Sequence, residues 1–372
     1  MDFKPSEVQA LTRGMVREFA EKEVKARAEK TDQEADFPAE TLEKMAQLQI
    51  LGLLAPADAG GAGVDTVTYA IVIEELARAC ASTALVVESH NSQCIFPIAA
   101  FGTDDQKGRF LPELSSGRKL GTLAVLESGA GLDIGALNTT AAPDSDGFRI
   151  TGKKVFVPSG SQAGIYIVAA RTDKGPSLFI VEKGEGVSPG RADDLLGVRG
   201  AGIGPVDLNV HVPAGNLLGA EGGAGKMLES IFALGNIALG AGAVGVSQAA
   251  IEASVEYSKL RVQFGSPIAK FQAIQVMIAD MAMQTESSRL LVYRAAFARD
   301  ADEDLRVPAS LAKALAAESS VRVGNKAVQV HGGVGYTKEM PVERYYRDAM
   351  ALAVLPGTPD AQRLTAATEL LK

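Results

Sequence analysis

Apolar residues recur along the chain with two different periods, and the changes of period divide it into three parts. Val8, Leu11, Met15 and Phe19 follow the three-then-four spacing of one helix face, with charged residues on the other. Further helical patterns cover about residues 38–51, 66–80 and 104–114. Between the first two lies the loop Ala55-Pro56-Ala57-Asp58-Ala59-Gly60-Gly61-Ala62-Gly63, whose glycines disfavour helix. From Lys119 the pattern shortens to β-prone runs at 122–126, 148–151, 154–157, 165–170, 177–181 and 206–212, punctuated by Gly, Pro, Asp and Ser. Short strands so spaced, with no long helix between them, predict a small antiparallel sandwich or barrel.

A glycine-rich segment, Gly222, Gly223 and Gly225, precedes the return of long helical patterns after Lys226. Phe271, Ile274, Ile278 and Met281 form one stripe, Leu311, Leu315 and Val321 belong to another helix, and residues 358–371 close the chain. The reading is therefore α+β: an N-terminal helical domain (1–118), a middle antiparallel β-sandwich or barrel (119–222) and a C-terminal helical bundle (223–372).

The 372 residues carry a formal net charge of −8 without a basic cluster, which argues against a nucleic-acid groove. Residues 231–251 are uncharged and long enough to raise a membrane span. Their Gly and Ala content, with Asn236, Ser247 and Gln248, predicts a buried bundle helix instead. The N-terminal Met1-Asp2-Phe3-Lys4-Pro5-Ser6-Glu7 has no apolar signal core, and Cys80 and Cys94 lack paired spacing, so no export and a reducing cytoplasm are expected.

Gly240-Ala241-Gly242-Ala243-Val244-Gly245 matches G-x-G-x-x-G, but it lies inside an uncharged helical run with no preceding strand. Close helix packing is the better account. His90, His211 and His331 are scattered without metal-ligand spacing, so no metal site is expected. No G-x-S-x-G elbow is present.

Several segments, in order, resemble the acyl-CoA dehydrogenase superfamily, most nearly its short-chain members. Glu127-Ser128-Gly129-Ala130-Gly131-Leu132-Asp133 is similar to E-P-G-A-G-S-D, Arg261-Val262-Gln263-Phe264-Gly265 to R-x-x-F-G, and Gln329-Val330-His331-Gly332-Gly333-Val334-Gly335-Tyr336 to Q-x-x-G-G-x-G-Y. Pro356-Gly357-Thr358 stands where relatives read E-G-T. The resemblance implies an FAD-binding oxidoreductase, a homotetramer, an acyl-CoA or acyl-carrier thioester substrate, and an electron-transfer flavoprotein as a candidate partner. It implies cofactor contacts from Val125, Leu126, Gly131, Phe156, Pro158, Arg261, Phe264, Gln329, Gly332, Gly333 and Thr358. Asn91, Ser92, Gly235, Asn236 and Pro356 would line the substrate pocket.

The departures fall at the chemistry. Relatives remove the substrate α-proton with a carboxylate, either the Glu of E-G-T, here Pro356, or a Glu at the position of Gly235 beside an Arg, here Asn236. Proline also lacks the N–H that helps hold the thioester carbonyl in E-G-T relatives, and such a donor is worth about 2.7–4 kcal/mol in the transition state. Leu126 replaces a hydroxyl residue, Phe156-Val157-Pro158 replaces Trp-x-Thr, Leu132 replaces a serine, and Asp360 replaces a glutamine. Glu88 and His90, before Asn91-Ser92, read as a helix end with solvated polar groups, and no catalytic residue is assigned. The expectation is an enzyme of altered chemistry on an acyl thioester. It would reduce an activated enoyl group, or eliminate a carboxylate or sulfinate. A non-catalytic subunit of a mixed tetramer with a paralogue, and a flavin-free acyl-CoA or acyl-carrier binder, remain as alternatives.

Overall fold

A computed structural model describes residues 4–372; the first three residues of the N-terminal segment lie outside it. Helix α1 (Glu7–Phe19) opens with a reciprocal cap, in which the Ser6 hydroxyl accepts from the Gln9 N–H at 3.2 Å and the Gln9 side chain accepts from the Ser6 N–H at 2.9 Å. A π-turn, Ala20–Lys25, carries the chain into α2 (Ala26–Gln33), and α3 (Ala39–Gln47) follows. Asp65 caps α4 (Thr66–Ala79), accepting from the Thr68 N–H at 2.6 Å. Then come α5 (Ala81–His90), a π-turn at Asn91–Ile95, α6 (Phe96–Phe101) and α7 (Asp104–Ser115).

Three of the four stripe residues of α1 face outward, and only Phe19 packs against the core. Val8, Leu11 and Met15 are exposed, whereas Val16 is buried. The reason is electrostatic: Arg13 and Arg17 turn inward to Glu75 on α4, Arg17 Nη2 reaching Glu75 Oε1 at 2.8 Å. A buried carboxylate needs such partners, and they fix which face of α1 is inside.

The middle domain contains β1 (Gly121–Ala124), β2 (Thr140–Asp144), β3 (Gly147–Val157), β4 (Ile165–Thr172), β5 (Gly175–Glu182), β6 (Val187–Pro189), β7 (Gly204–Pro213) and β8 (Leu217–Leu218). Their order is β6-β7-β3-β2-β4-β5-β8, with β1 paired to β4. The two runs at 148–151 and 154–157 form one strand with a register shift between Lys154 and Val157. The sheet is not wholly antiparallel, because β1 runs parallel to β4, Gly121 opposite Ile165 through Ala124 opposite Val168. Local periodicity does not report strand direction, and the long excursion through β2 and β3 supplies the crossover that a parallel pair needs.

Helix α8 (Ala224–Leu260) runs through the C-terminal domain, ringed by α4, α9 (Gln272–Asp300), α10 (Arg306–His331) and α11 (Val342–Val354); α12 (Pro359–Leu370) packs on α10. A small hairpin, β9 (Val262–Gln263) and β10 (Ser266–Pro267), follows α8. The uncharged stretch is core, with 83% of its most apolar window buried inside the protein. Gly245 lets α4 approach closely, since a Cβ there would stand 2.2 Å from the Glu74 carbonyl oxygen. The G-x-G-x-x-G match is therefore a packing surface.

Candidate functional site

Three segments converge where the β-domain meets the helices. β1 ends at Ala124, and Val125 and Leu126 continue into the turn that carries Glu127. Glu127 is buried, and its carboxylate accepts from Lys154 Nζ at 2.6 Å, the Asn138 N–H at 2.6 Å and the Thr139 N–H at 3.0 Å. Burial alone would raise the Glu127 pKa, but these three donors pull it down to about 2. The ion pair thus fixes the segment from Val125 to Gly131, whose N–H returns to the Glu127 carbonyl at 3.1 Å.

The second segment is the end of β3. Phe156 has φ +51°, a left-handed conformation costly for an aromatic residue, and its ring is about half exposed at 49%. The Val155 N–H bonds the Leu126 carbonyl at 2.9 Å, and the Pro158 carbonyl accepts from Thr122 Oγ1 at 2.7 Å, so both sides of Phe156 are anchored. The third segment follows α11. Gly357 adopts φ +81°, which turns the chain sharply after Pro356. Buried Lys313 on α10 donates to the carbonyls of Gly357 and Ala353, and desolvation lowers its pKa to about 8. Thr358 caps α12, its Oγ1 accepting from the Ala361 N–H at 3.3 Å.

These segments line a cleft with an open mouth. Leu85, Gln93, Leu123, Phe232, Leu239 and Leu355 complete walls that already include Val125, Leu126, Leu132, Val155, Phe156, Pro158 and Pro356. No residue lining it is acidic or basic. The structure therefore brings together Val125, Leu126, Phe156, Pro158 and Pro356. Gly131 and Thr358 belong to the turns that carry two of the walls.

Other expected residues lie elsewhere or do other work. Asn91 does not line the cleft; its side chain bonds the Leu54 N–H and the carbonyls of Ile50 and Val87, all at 3.1–3.2 Å. Ser92 is buried behind the wall and donates to Glu88. Asn236 faces α12, donating to Gln362 Oε1 at 2.9 Å. Gly235 adjoins Glu88, whose Oε1 would lie 3.4 Å from a Cβ built on that glycine. Arg261, Phe264, Gln329, Gly332 and Gly333 are all exposed at one end of the bundle, away from the cleft. The ring of His331 stacks on Tyr257 at 4.3 Å and ties the ends of α8 and α10 together there. Arg261 has no ion-pair partner among the described residues.

Glu88 and His90 are not solvated, because α5 is buried along its whole length. His90 Nδ1 accepts from the Gly121 N–H at 2.9 Å and Nε2 donates to the Leu114 carbonyl at 3.1 Å, which fixes a neutral tautomer. Desolvation lowers its pKa to about 4. His90 thus pins β1 to the helices. Sequence reasoning also passed over Lys313 and Gln93; a lysine inside an otherwise Ala-rich run was the available signal for the first.

The chain matches three family descriptions in succession: "Acyl-CoA dehydrogenase, N-terminal domain" over residues 6–118, "middle domain" over 122–210 and "C-terminal domain" over 222–371. It belongs to the acyl-CoA dehydrogenase family. A 3-(aryl)acrylate reductase of Clostridium sporogenes is 39% identical over 374 residues, covering 99% of each chain. The butyryl-CoA dehydrogenase structure from Megasphaera elsdenii superposes with a TM-score of 0.97 at 36% identity over the whole of both chains. The FAD complex of PigA matches with a TM-score of 0.95 at 26% identity, covering 100% of this chain and 99% of that one. Acyl-CoA dehydrogenases are flavoproteins, and members of the family bind FAD.

The cleft of this acyl-CoA dehydrogenase homologue fits a flavin ring. Its walls are apolar, Phe156 presents an open aromatic face, and the N–H groups of Val125 and Leu126 have no intramolecular acceptor among the described residues. Two unpaired N–H donors beside a flat apolar slot are what a heteroaromatic ring with carbonyl and ring-nitrogen acceptors requires.

Proposed function

We propose that this family member is an FAD-dependent enzyme that acts on an acyl thioester without the carboxylate-driven α,β-dehydrogenation of its relatives. One observation carries the reading: Pro356 lines the cleft together with Leu126 and Phe156, and no lining residue bears a carboxylate. Val125, Leu126, Phe156 and Pro158 hold the ring end of the cofactor. Arg261, Phe264, Gln329, Gly332 and Gly333, exposed together at the bundle end away from the cleft, would receive the pyrophosphate and adenosine half of the cofactor whose ring lies in the cleft of a neighbouring copy. When bound, FAD supplies hydride transfer to or from the acyl chain.

Within that frame, the chain's own residues exclude water and orient. The Leu85, Leu239 and Leu355 side chains make a dry wall against the acyl group, and the Lys313 bond to the Gly357 carbonyl fixes the turn at Pro356. Pro356 offers neither a base for the α-proton nor an N–H for the thioester oxygen. Loss of a carboxylate or sulfinate group suits such a site, because no α-proton has to be removed; reduction of an activated enoyl thioester suits it only with water at the open mouth supplying the α-proton, since no acid lines the cleft. The name of the Clostridium sporogenes relative, an acrylate reductase, supports the reductive direction. The absence of a carboxylate also favours a second reading, a non-catalytic subunit in a mixed tetramer.

The working assembly is a tetramer. Val276, Met283, Leu290 and Phe297 recur every seven residues on the outer face of α9 and are 51–64% exposed, a stripe that a helix of a second copy would cover. Two buried free cysteines accord with a cytoplasmic protein, and an electron-transfer flavoprotein is the partner that would exchange electrons with the flavin.

The test is the visible spectrum of the purified protein during anaerobic addition of butyryl-CoA and of cinnamoyl-CoA after dithionite reduction. Bound flavin that stays oxidised with the first and is reoxidised by the second supports the enzyme reading. Bleaching by butyryl-CoA would refute the missing base, and a flavin that responds to neither supports the silent subunit.

A further inference from the structure

The cleft presents one polar side chain. Gln93 stands on the π-turn Asn91–Ile95, in which the Phe96 N–H returns to the Asn91 carbonyl, and it lines the cleft among Leu85, Leu123, Phe232 and Leu239. Every other side chain in the lining is apolar. Single π-turns within helices recur at functional sites, because the extra residue re-aims the side chains beside it.

The amide of Gln93 is held in one orientation. Its Nε2 donates to Glu88 Oε2 at 2.8 Å, and a carboxylate only accepts, so Nε2 rather than Oε1 faces Glu88. Glu88 is fixed in turn by Ser92, whose Oγ donates to its Oε1, and by the burial of α5 along its whole length. Gln93 Oε1 accepts no hydrogen bond among the described residues, yet it is not among the polar atoms sealed inside without a partner. Only 8% of the residue is exposed, and the space it borders is the cleft, so that oxygen opens there. One oriented acceptor in an apolar wall is an arrangement for reading a single donor.

Resting on the acyl-thioester reading above, we propose that Gln93 is a specificity-determining residue whose Oε1 accepts a hydrogen bond from a hydroxyl group on the acyl moiety. In the free protein, water entering by the open mouth can solvate that oxygen. An acyl group without a donor would displace the water and leave the acceptor buried and unpaired, which costs more than a made bond returns. Such a site rejects an analogue that lacks the donor more strongly than an apolar pocket separates two hydrocarbons. An ammonium is the wrong donor, since it would bring three N–H groups and a charge against side chains that offer one acceptor and no carboxylate. Hydroxyls on an aliphatic chain and on an aryl ring meet the requirement alike, and the test separates them.

The experiment is calorimetric binding of two matched pairs of thioesters to the flavin-loaded, full-length protein: 3-hydroxybutyryl-CoA against butyryl-CoA, and 4-hydroxycinnamoyl-CoA against cinnamoyl-CoA. It is run at about pH 8, above the value of about 7 to which burial lifts Glu88, so that the Gln93 amide keeps its orientation. The expected result is about tenfold tighter binding of the hydroxylated member of at least one pair to the wild type. The pair that shows it identifies the hydroxyl as aliphatic or aromatic. Gln93→Leu should abolish that ratio while the plain thioester still binds. Glu88→Gln, which keeps Gln93 in the wall but lets its amide turn either end to the cleft, should reduce the ratio and serves where Gln93→Leu fails to fold. If Gln93 serves only to pair Glu88, Gln93→Leu will lower the melting temperature and leave the ratio unchanged, which would overturn the proposal. Equal binding within both pairs by the wild type would also overturn it and leave the thioester reading intact. If no thioester bound to the flavin-loaded protein, the thioester reading would fall and this proposal with it.

Discussion

Lys154 Nζ and Glu127 Oε1 meet at 2.6 Å with both side chains buried, directly under the backbone that offers Val125 and Leu126 to the cleft. Replacing the acid by its amide leaves a lysine ammonium buried without a counter-charge. Glu127→Gln should therefore lower stability by about 3–5 kcal/mol and reduce flavin retention, read from the melting temperature and the ratio of flavin to protein. Unchanged values on both would show that the pair does not organise the cleft.

The same pair sets a pH limit. The Glu127 pKa falls from 4.5 to about 2 on folding, so its contribution is complete above 4.5 and is lost as pH falls through 2. The wild type should therefore lose stability relative to Glu127→Gln between pH 4.5 and 2. A melting-temperature difference that stays constant across that window would refute this.

Glu88 and His90 should oppose each other in milder acid. Glu88 binds its proton more tightly in the folded chain, about 7 against 4.5, so its contribution is complete below 4.5 and is lost as pH rises through 7. His90 binds its proton more weakly when folded, about 4 against 6.5, so its contribution is complete above 6.5 and is lost as pH falls through 4. Each is worth about 3 kcal/mol, and between pH 4.5 and 6.5 the two slopes cancel. Glu88→Gln should expose the His90 slope, with stability rising by that amount from pH 4 to 6.5 relative to wild type. Parallel melting profiles for the two proteins would sink the argument.

How much of this was legible in the sequence depended on whether a property is local. The uncharged run of α8 announced its burial because charge is absent from every face. The direction of β1 did not announce itself, since its partner β4 lies some forty residues away and periodicity is the same in either direction. Pro356, Phe156 and Leu126 were found through motif order, which survives substitution at single positions. Glu88 and Lys313 were not found, because a charged residue in a helical pattern is ordinarily assigned to the wet face. Only the packing of α5 and α10 against distant elements puts both inside. The stripe Val8, Leu11 and Met15 misled for the converse reason: it is apolar, but the inward face of α1 is fixed by Glu75.

The exposed stripe of α9 predicts the effect of a charge placed within it. Leu290 is the third of the four apolar residues at seven-residue intervals, and a glutamate there would have to be desolvated at any helix–helix contact. On the proposed tetramer, Leu290→Glu should give a smaller species in sedimentation velocity than the wild type while leaving helical content unchanged. An unaltered mass would place the subunit contact on another face.

Pro356 provides the sharpest test of the altered chemistry. Its ring forms part of the cleft wall, and the turn that carries it is held from behind by the Lys313 bond to the Gly357 carbonyl, which a change at 356 does not touch. Pro356→Glu restores two things at once: a carboxylate on the cleft side and a backbone N–H at the same position. Pro356→Ala restores only the second. A positioned base contributes about a hundredfold or more. Pro356→Glu should therefore bleach its flavin with butyryl-CoA at least that much faster than Pro356→Ala, whose rate in turn should scarcely exceed the wild type's, because an oxyanion donor has little to stabilise until a proton is removed. If the glutamate variant binds flavin and thioester yet bleaches no faster than the alanine variant, the loss of the base at Pro356 is not what separates this chain from its dehydrogenating relatives, and the difference must lie in the flavin contacts at Leu126, Phe156 and Pro158.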